Sequence, residues 1–386
     1  MGNADFHIES ELQCTGAARS LYSFLLSSEV LTVKFSPERD YCAAGLCSGS
    51  IQLIALPHKH RKSQNIELIP DDESLPCTDF VFVPKQGDKK KILAVYASGF
   101  VRLWQYHHSG KFLLVRRWKE HEYNVQNTIL NDPKYNQTIC VDVSTDGKRF
   151  VTGGSDTVIR AYDMSPSPGR LLVPSIRTDM NLAHNFHTNR VTAIIYHPRG
   201  QKDAAFAHYF ISASWDGTIQ GWDDRTCGSL WQRAGTTVSG ADGLFIDPVR
   251  NVVLSACYKH DKVLSQIWDA SFSNLDVPRP IQTLDKPLLS LNQEVGGQPV
   301  QIYVVIMTPD HQYTMFGGTN GNVFKIINTT TQRQVASVLN LPNGVYSADC
   351  CADPSERRRI LVAFTNGLKV HVLSFDPRSP HYADIH

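Results

Sequence analysis

The sequence predicts an all-β protein built from about seven repeated units of roughly four strands each. Three observations predict it. Apolar and polar residues alternate with period two along much of the chain, as half-buried strands require. Tight turns rich in Gly, Asp and Asn separate these runs, as hairpins require. No long segment carries a helical period.

The units can be followed in order. Each opens on an apolar run and a first turn: FSPERD (35–40), FVPKQGDKKK (82–91), VSTDGKR (143–149), YHPRGQKD (196–203), IDPVRN (246–251), MTPDHQ (307–312) and ADPSERRR (352–359). All but the third carry a Pro in register, and Thr145 replaces it there. A second turn follows each: CSGS, ASG, GSDT, SWDG, HDK, TNGN and TNG, each leading into another apolar run. In the second unit, FVRLW and FLLVRRW flank a polar loop and supply the last two strands.

The fourth unit holds FISASWDGTIQGWDDR (210–225), with His187 upstream in NFHTNRV. His187, Ser212, Asp216 and Trp222 could form a nucleophile triad or a buried hydrogen-bonded lock. A hydrolase needs its Ser exposed beside an oxyanion hole, and no Gly-x-Ser-x-Gly elbow is present. The lock is the preferred reading, because a satisfied buried network rigidifies a fold.

These residues, with VTGGSDTVIRAYD (151–163), resemble the WD-repeat (WD40) β-propeller family over residues 17–375, as a divergent member. The resemblance implies an all-β, seven-bladed propeller of four-stranded antiparallel blades. It also implies that His187, Ser212, Asp216 and Trp222 form one hydrogen-bonded chain, with Thr152, Asp156 and Tyr162 at the matching places in the third unit. His121 would be the partner there; Glu120 and Phe186 stand where the family has Gly. Units one, two, five, six and seven lack the pattern and are expected to rely on apolar packing. The segment ARSLYSFLLSS (17–28) reads as a lone strand that closes the ring onto the last unit. Residues 1–16 then form an N-terminal extension and 376–386 a tail.

At 386 residues, 42% hydrophobic and 19% charged, the chain can bury a large core. Its net charge of +1 names no partner class. The N-terminus has no secretory pattern, Phe6 departs from the myristoylation pattern, and no apolar run would span a bilayer. Nine scattered cysteines read as reduced thiols, so a cytoplasmic location is expected, with nucleus, cytoskeleton or cilium as alternatives. Cys42 and Cys47 would lie on opposite strand faces, and no metal, cofactor or small-molecule substrate is expected.

No catalytic pair rises above this background, and the chain is read as a non-enzymatic scaffold for protein–protein interactions. By the family's layout, the first turns share one face with the loops after the third strands. That face collects Lys85, Lys89, Lys90 and Lys91 from unit two, Arg357, Arg358 and Arg359 from unit seven, and Lys59, Arg61 and Lys62 after unit one. Lys148, Arg149, Arg199 and Lys202 join them. This clustering points to partners with acidic surfaces. Nucleic acid is disfavoured, because no aromatics are interleaved with the basic loops. A cytoskeletal or ciliary assembly is the expected setting. The alternative is a substrate receptor of a cullin-type ubiquitin ligase, through Asp216, Ile219, Trp222, Asp223 and Arg225, with Arg225 as the exposed contact.

Overall fold

The computed structural model describes residues 12–56, 64–72, 75–84, 90–120, 136–164, 186–226, 228–234, 237–258, 265–270, 301–356 and 358–378, together with the backbone of 171–174 and 280–284. Seven antiparallel sheets contain all of the described strands. The first two strands are β1 (Gln13–Gly16) and β2 (Ala18–Leu25). Blade one is β3 (Val30–Phe35), β4 (Tyr41–Leu46), β5 (Ile51–Ala55) and β6 (Ile66–Leu68). Blade two is β7 (Cys77–Val83), β8 (Lys91–Tyr96), β9 (Phe100–Tyr106) and β10 (Phe112–Lys119). Blade three is β11 (Thr138–Val143), β12 (Arg149–Gly154), β13 (Ile159–Asp163) and β14 (Leu171–Pro174).

Blade four is β15 (Val191–Tyr196), β16 (Tyr209–Ser214), β17 (Thr218–Asp223) and β18 (Ser229–Ala234). Blade five is β19 (Leu244–Asp247), β20 (Val252–Ala256), β21 (Ser265–Asp269) and β22 (Pro280–Leu284). Blade six is β23 (Gln301–Met307), β24 (Tyr313–Thr319), β25 (Val323–Asn328) and β26 (Gln334–Leu339). Blade seven is β27 (Ala348–Ala352), β28 (Ile360–Asn366) and β29 (Lys369–Phe375). Its fourth strand is β2, which pairs antiparallel with β29. The N-terminal strand thus closes the ring, and a closed ring leaves only short edges.

The first strand of each blade packs beside the first strands of its neighbours, which places these seven strands around a central channel. Apolar clusters fill the spaces between adjacent blades; Phe324 of blade six stacks on Phe364 of blade seven at 4.7 Å. Gly217 turns the second hairpin of blade four at φ +79°, a left-handed conformation that costs Gly little. Blade three puts Thr157 in that conformation at φ 71°.

Two features depart from the expectation. Residues 13–16 add β1 as a fifth strand on β26, so blade six has five strands. Blades five and seven are not held by apolar packing alone. The Trp268 indole donates to Ser255 Oγ at 3.2 Å, and Ser23 Oγ meets His371 Nδ1 at 2.7 Å across the closing pair. Burial depresses the His371 pKa to about 4, so the ring is neutral at pH 7 and the bond joins two uncharged groups. Sequence patterns miss this clip because its partners stand at opposite ends of the chain.

Candidate functional site

The polar residues of blade four converge. The His187 Nδ1–H group donates to Asp216 Oδ2 at 2.9 Å, Ser212 Oγ–H donates to His187 Nε2 at 2.7 Å, and the Trp222 indole donates to Ser212 Oγ at 2.7 Å. Thr218 and the Thr188 N–H also bond to the Asp216 carboxylate. Burial alone would raise the Asp216 pKa, but the bonds and charge supplied by His187 and its neighbours hold it down to about 2. Ser212 is 0% exposed and its hydroxyl is bonded on both sides. A nucleophile could not reach a substrate from there.

Blade three fills the corresponding space differently. Thr152 Oγ1 and Tyr162 OH both donate to Glu120 Oε1, at 2.7 and 2.6 Å, and Thr138 Oγ1 donates to Oε2 at 2.8 Å. Glu120 therefore collects the hydroxyls, while His121 lies outside the described residues. Asp156 pairs with Arg160 at 2.5 Å, and its N–H donates to Asn136, which in turn donates to Glu120, so Thr152, Asp156 and Tyr162 are joined through Glu120 and Asn136 and not in the order of blade four. The signal was available: two buried hydroxyl donors at these positions call for an acceptor, and Glu120 precedes the expected His.

The channel opens on the face of the first turns as a cavity of about 530 Å³, walled by Phe82, Ile195, Phe245 and Met307. Carboxylates sit along its wall. Asp79, Asp142 and Asp349 each bond the N–H of the following residue and an N–H on the next blade's first strand, at Val141, Tyr196 and Phe35 respectively. Burial pushes Asp79 up to about 7 and Asp142 and Asp349 up to about 6. Lys34 Nζ crosses to Asp242 Oδ1 at 2.9 Å. Although burial acts to lower the Lys34 pKa, these carboxylates hold it above its ordinary value. Asp242 also accepts from Ser347 Oγ, so a turn before β19 is tied to blades seven and one across the channel.

The sequence profile described as "WD domain, G-beta repeat" matches residues 127–163 and 181–223, within the third and fourth units. The remaining blades repeat the same strand order around the ring. The chain is a WD-repeat β-propeller. No curated protein matches it in sequence.

The basic side chains of this WD-repeat propeller are placed as follows. Lys90 Nζ pairs with Asp40 at 3.0 Å and Glu38 at 3.3 Å in the first turn of blade one. Lys91 begins β8 and is half-buried. Arg359 pairs with Asp353 at 2.5 Å and Glu356 at 3.1 Å, while Arg358 is exposed. Arg149 reaches Asp224 at 2.7 Å and the Ala207 carbonyl at 2.6 Å, and Arg199 donates to the Val249 carbonyl at 3.1 Å. Lys90, Arg149 and Arg199 therefore tie neighbouring blades together. Lys59, Arg61, Lys62, Lys85, Lys89 and Arg357 lie outside the described residues.

Arg225 lies over Asp223, donating through two nitrogens at 2.8 and 2.6 Å. Gly221, in the same strand, has a local cause. A Cβ there would fall 2.2 Å from the Trp231 indole. His208, Asp223 and Asp224 bring possible metal-ligand atoms within 4.8 Å of one another. Arg149, Tyr196 and Arg225 already compensate those carboxylates, so the residues do not fit a cation.

The face of the second turns carries a feature that sequence reasoning missed. Arg190 lies 4.6 Å over Trp215, which stacks on Tyr258 at 6.1 Å; Tyr303 and Tyr346 follow at 5.3 and 4.9 Å. These aromatics come from successive blades at unremarked turn and strand-start positions, so no local motif announces them. Among the described residues, no helix is long and apolar enough to cross a membrane.

Proposed function

We propose that this propeller is a non-catalytic scaffold that holds partner proteins with acidic surfaces within a larger assembly, with a cytoskeletal or ciliary assembly as its setting. The observation that carries the reading is the sealed Ser212. The Ser–His–Asp set that resembles catalytic machinery is internal and fully bonded, which leaves the faces and rim to act. Propellers of this family are interaction scaffolds, and the exposed Arg358 together with the basic loops supports an acidic partner.

Affinity capture with the wild-type chain and with charge reversals at Lys89, Arg357 and Arg358, which spare the paired Lys90 and Arg359, tests this. Salt-sensitive partners, lost on reversal, are expected; partners unaffected by reversal would refute the acidic-surface reading. Microtubule co-sedimentation tests the cytoskeletal setting in the same variants. The ligase-receptor alternative rests on Arg225, whose side chain is 64% exposed yet held by Asp223. An Arg225→Ala variant that still co-purified with the ligase adaptor would remove it.

A further inference from the structure

In blades two to seven, the pairing of the third and fourth strands slips by one residue at one place. The residue left over is apolar every time: Val115, Leu172, Leu230, Ile281, Val335 and Leu21. In blade six this bulge is covered. Val335 is 1% exposed, in a cluster with Ala17, and Leu12 and Cys14 pack against that cluster. The strand β1 pairs with Ala336–Leu339 immediately beyond the bulge. The protein thus shows on itself how a blade edge receives a fifth strand.

Blade two carries the same unit with no fifth strand on it among the described residues. Its outer strand β10 ends the sheet. Val115 is 44% exposed and is preceded by Leu113 at 47% and Leu114 at 37%. Counting from the bulge, Arg116–Lys119 stands where β1 meets Ala336–Leu339. A long edge strand with an apolar surface is a template for pairing, which proteins normally blunt or cover. The charges around it are mostly of one sign: Lys111, Arg116, Arg117 and Lys119, against Asp72, which Arg102 and Arg117 share. Blade four exposes only Leu230 at the matching place.

We propose that the outer edge of blade two is a docking site for an extended segment of a partner protein that alternates apolar and acidic residues and adds a fifth strand along Arg116–Lys119. Main-chain bonds to the edge supply affinity, the apolar row covers Val115 and Leu113, and the acidic row meets Arg117 and Lys119, which share one face of the strand. This deepens the scaffold reading and rests on it.

Hydrogen exchange tests the proposal on the full chain. The probes are a short peptide alternating Val and Glu, its Val–Lys counterpart, and a Gly–Glu peptide of equal charge. Exchange of the 116–119 amides is expected to slow about tenfold with the Val–Glu peptide only. A variant carrying Leu113→Lys and Val115→Lys, both at exposed positions, should abolish that protection while melting like the wild type. Equal protection by the Gly–Glu peptide, protection confined to other blades, or protection that survives the double variant would overturn the proposal. A wild-type dimer in sedimentation that the double variant dissolves would assign the edge to a second copy and also overturn it. Failure here leaves the scaffold reading standing, since that falls only if the captured partners do not depend on the propeller's surface.

Discussion

Blades four and two place different residues at the same four positions, and the contrast shows what those positions are for. In blade four, Ser212 accepts from Trp222 and the chain runs on to His187 and Asp216. In blade two, Ala94 replaces the Ser, and the Trp104 indole N–H is buried without a partner among the described residues. Arg102 fills the remaining space, packed over Tyr96 and Phe100 at 4.4 and 4.3 Å and paired with Asp72 at 3.0 Å. Blade three gives a third solution, with Glu120 as a shared acceptor. What the blades have in common is buried space between strands. Where donors and acceptors occupy it they are mostly balanced, and in blade two the Trp104 N–H is left over among the described residues.

Perturbing these networks should separate them by size. The largest effect is expected in the channel. Lys34→Met leaves Asp79, Asp242 and Asp349 facing one another without a cation, which should cost about 3 kcal/mol near neutral pH. Asp79 titrates at about 7 and Asp349 at about 6 in the folded protein, both above the unfolded value of about 4. The folded state therefore holds more protons between those values, and the stability tied to these groups falls as pH rises toward 7. The Lys34→Met deficit in chemical unfolding should accordingly be larger at about pH 7.5 than at about pH 5.5. An equal deficit at both would show that these carboxylates do not titrate in this range.

Glu120→Ala comes next. It strands the hydroxyls of Thr138, Thr152 and Tyr162, and about 3 kcal/mol should be lost. Glu120→Gln keeps an acceptor and should lose less, so similar losses in the two variants would deny Glu120 the role of shared acceptor. The smallest effect has the opposite sign. Ala94→Ser offers Trp104 the acceptor that Trp222 enjoys, and the unfolding midpoint should rise by the equivalent of about 1 kcal/mol. A fall would mean that the fully buried site has no room for the hydroxyl oxygen.

The same contrast explains what the sequence made legible. The quartet of blade four could be read because all four residues lie within one unit at fixed spacing. The ring's closure could be read because ARSLYSFL has no partner of its own. Glu120 was harder, because the usual His position sits one residue further on. Ser23–His371, β1 on blade six and the trans-channel Lys34–Asp242 pair were not legible, since each joins units distant in the chain and none follows from local alternation. The apolar bulge residues recur in six blades, yet one residue per outer strand leaves no pattern until the strand register is known.

The measurement that bears most directly on the central claim, that the blade-four quartet holds the fold and carries no chemistry, is the unfolding of Ser212→Ala beside the wild type. The substitution leaves the Trp222 N–H and His187 Nε2 unpaired, so the account predicts a loss of about 2 kcal/mol with partner binding unchanged below the transition. Wild-type stability in that variant, together with loss of a serine-dependent hydrolysis, would contradict it.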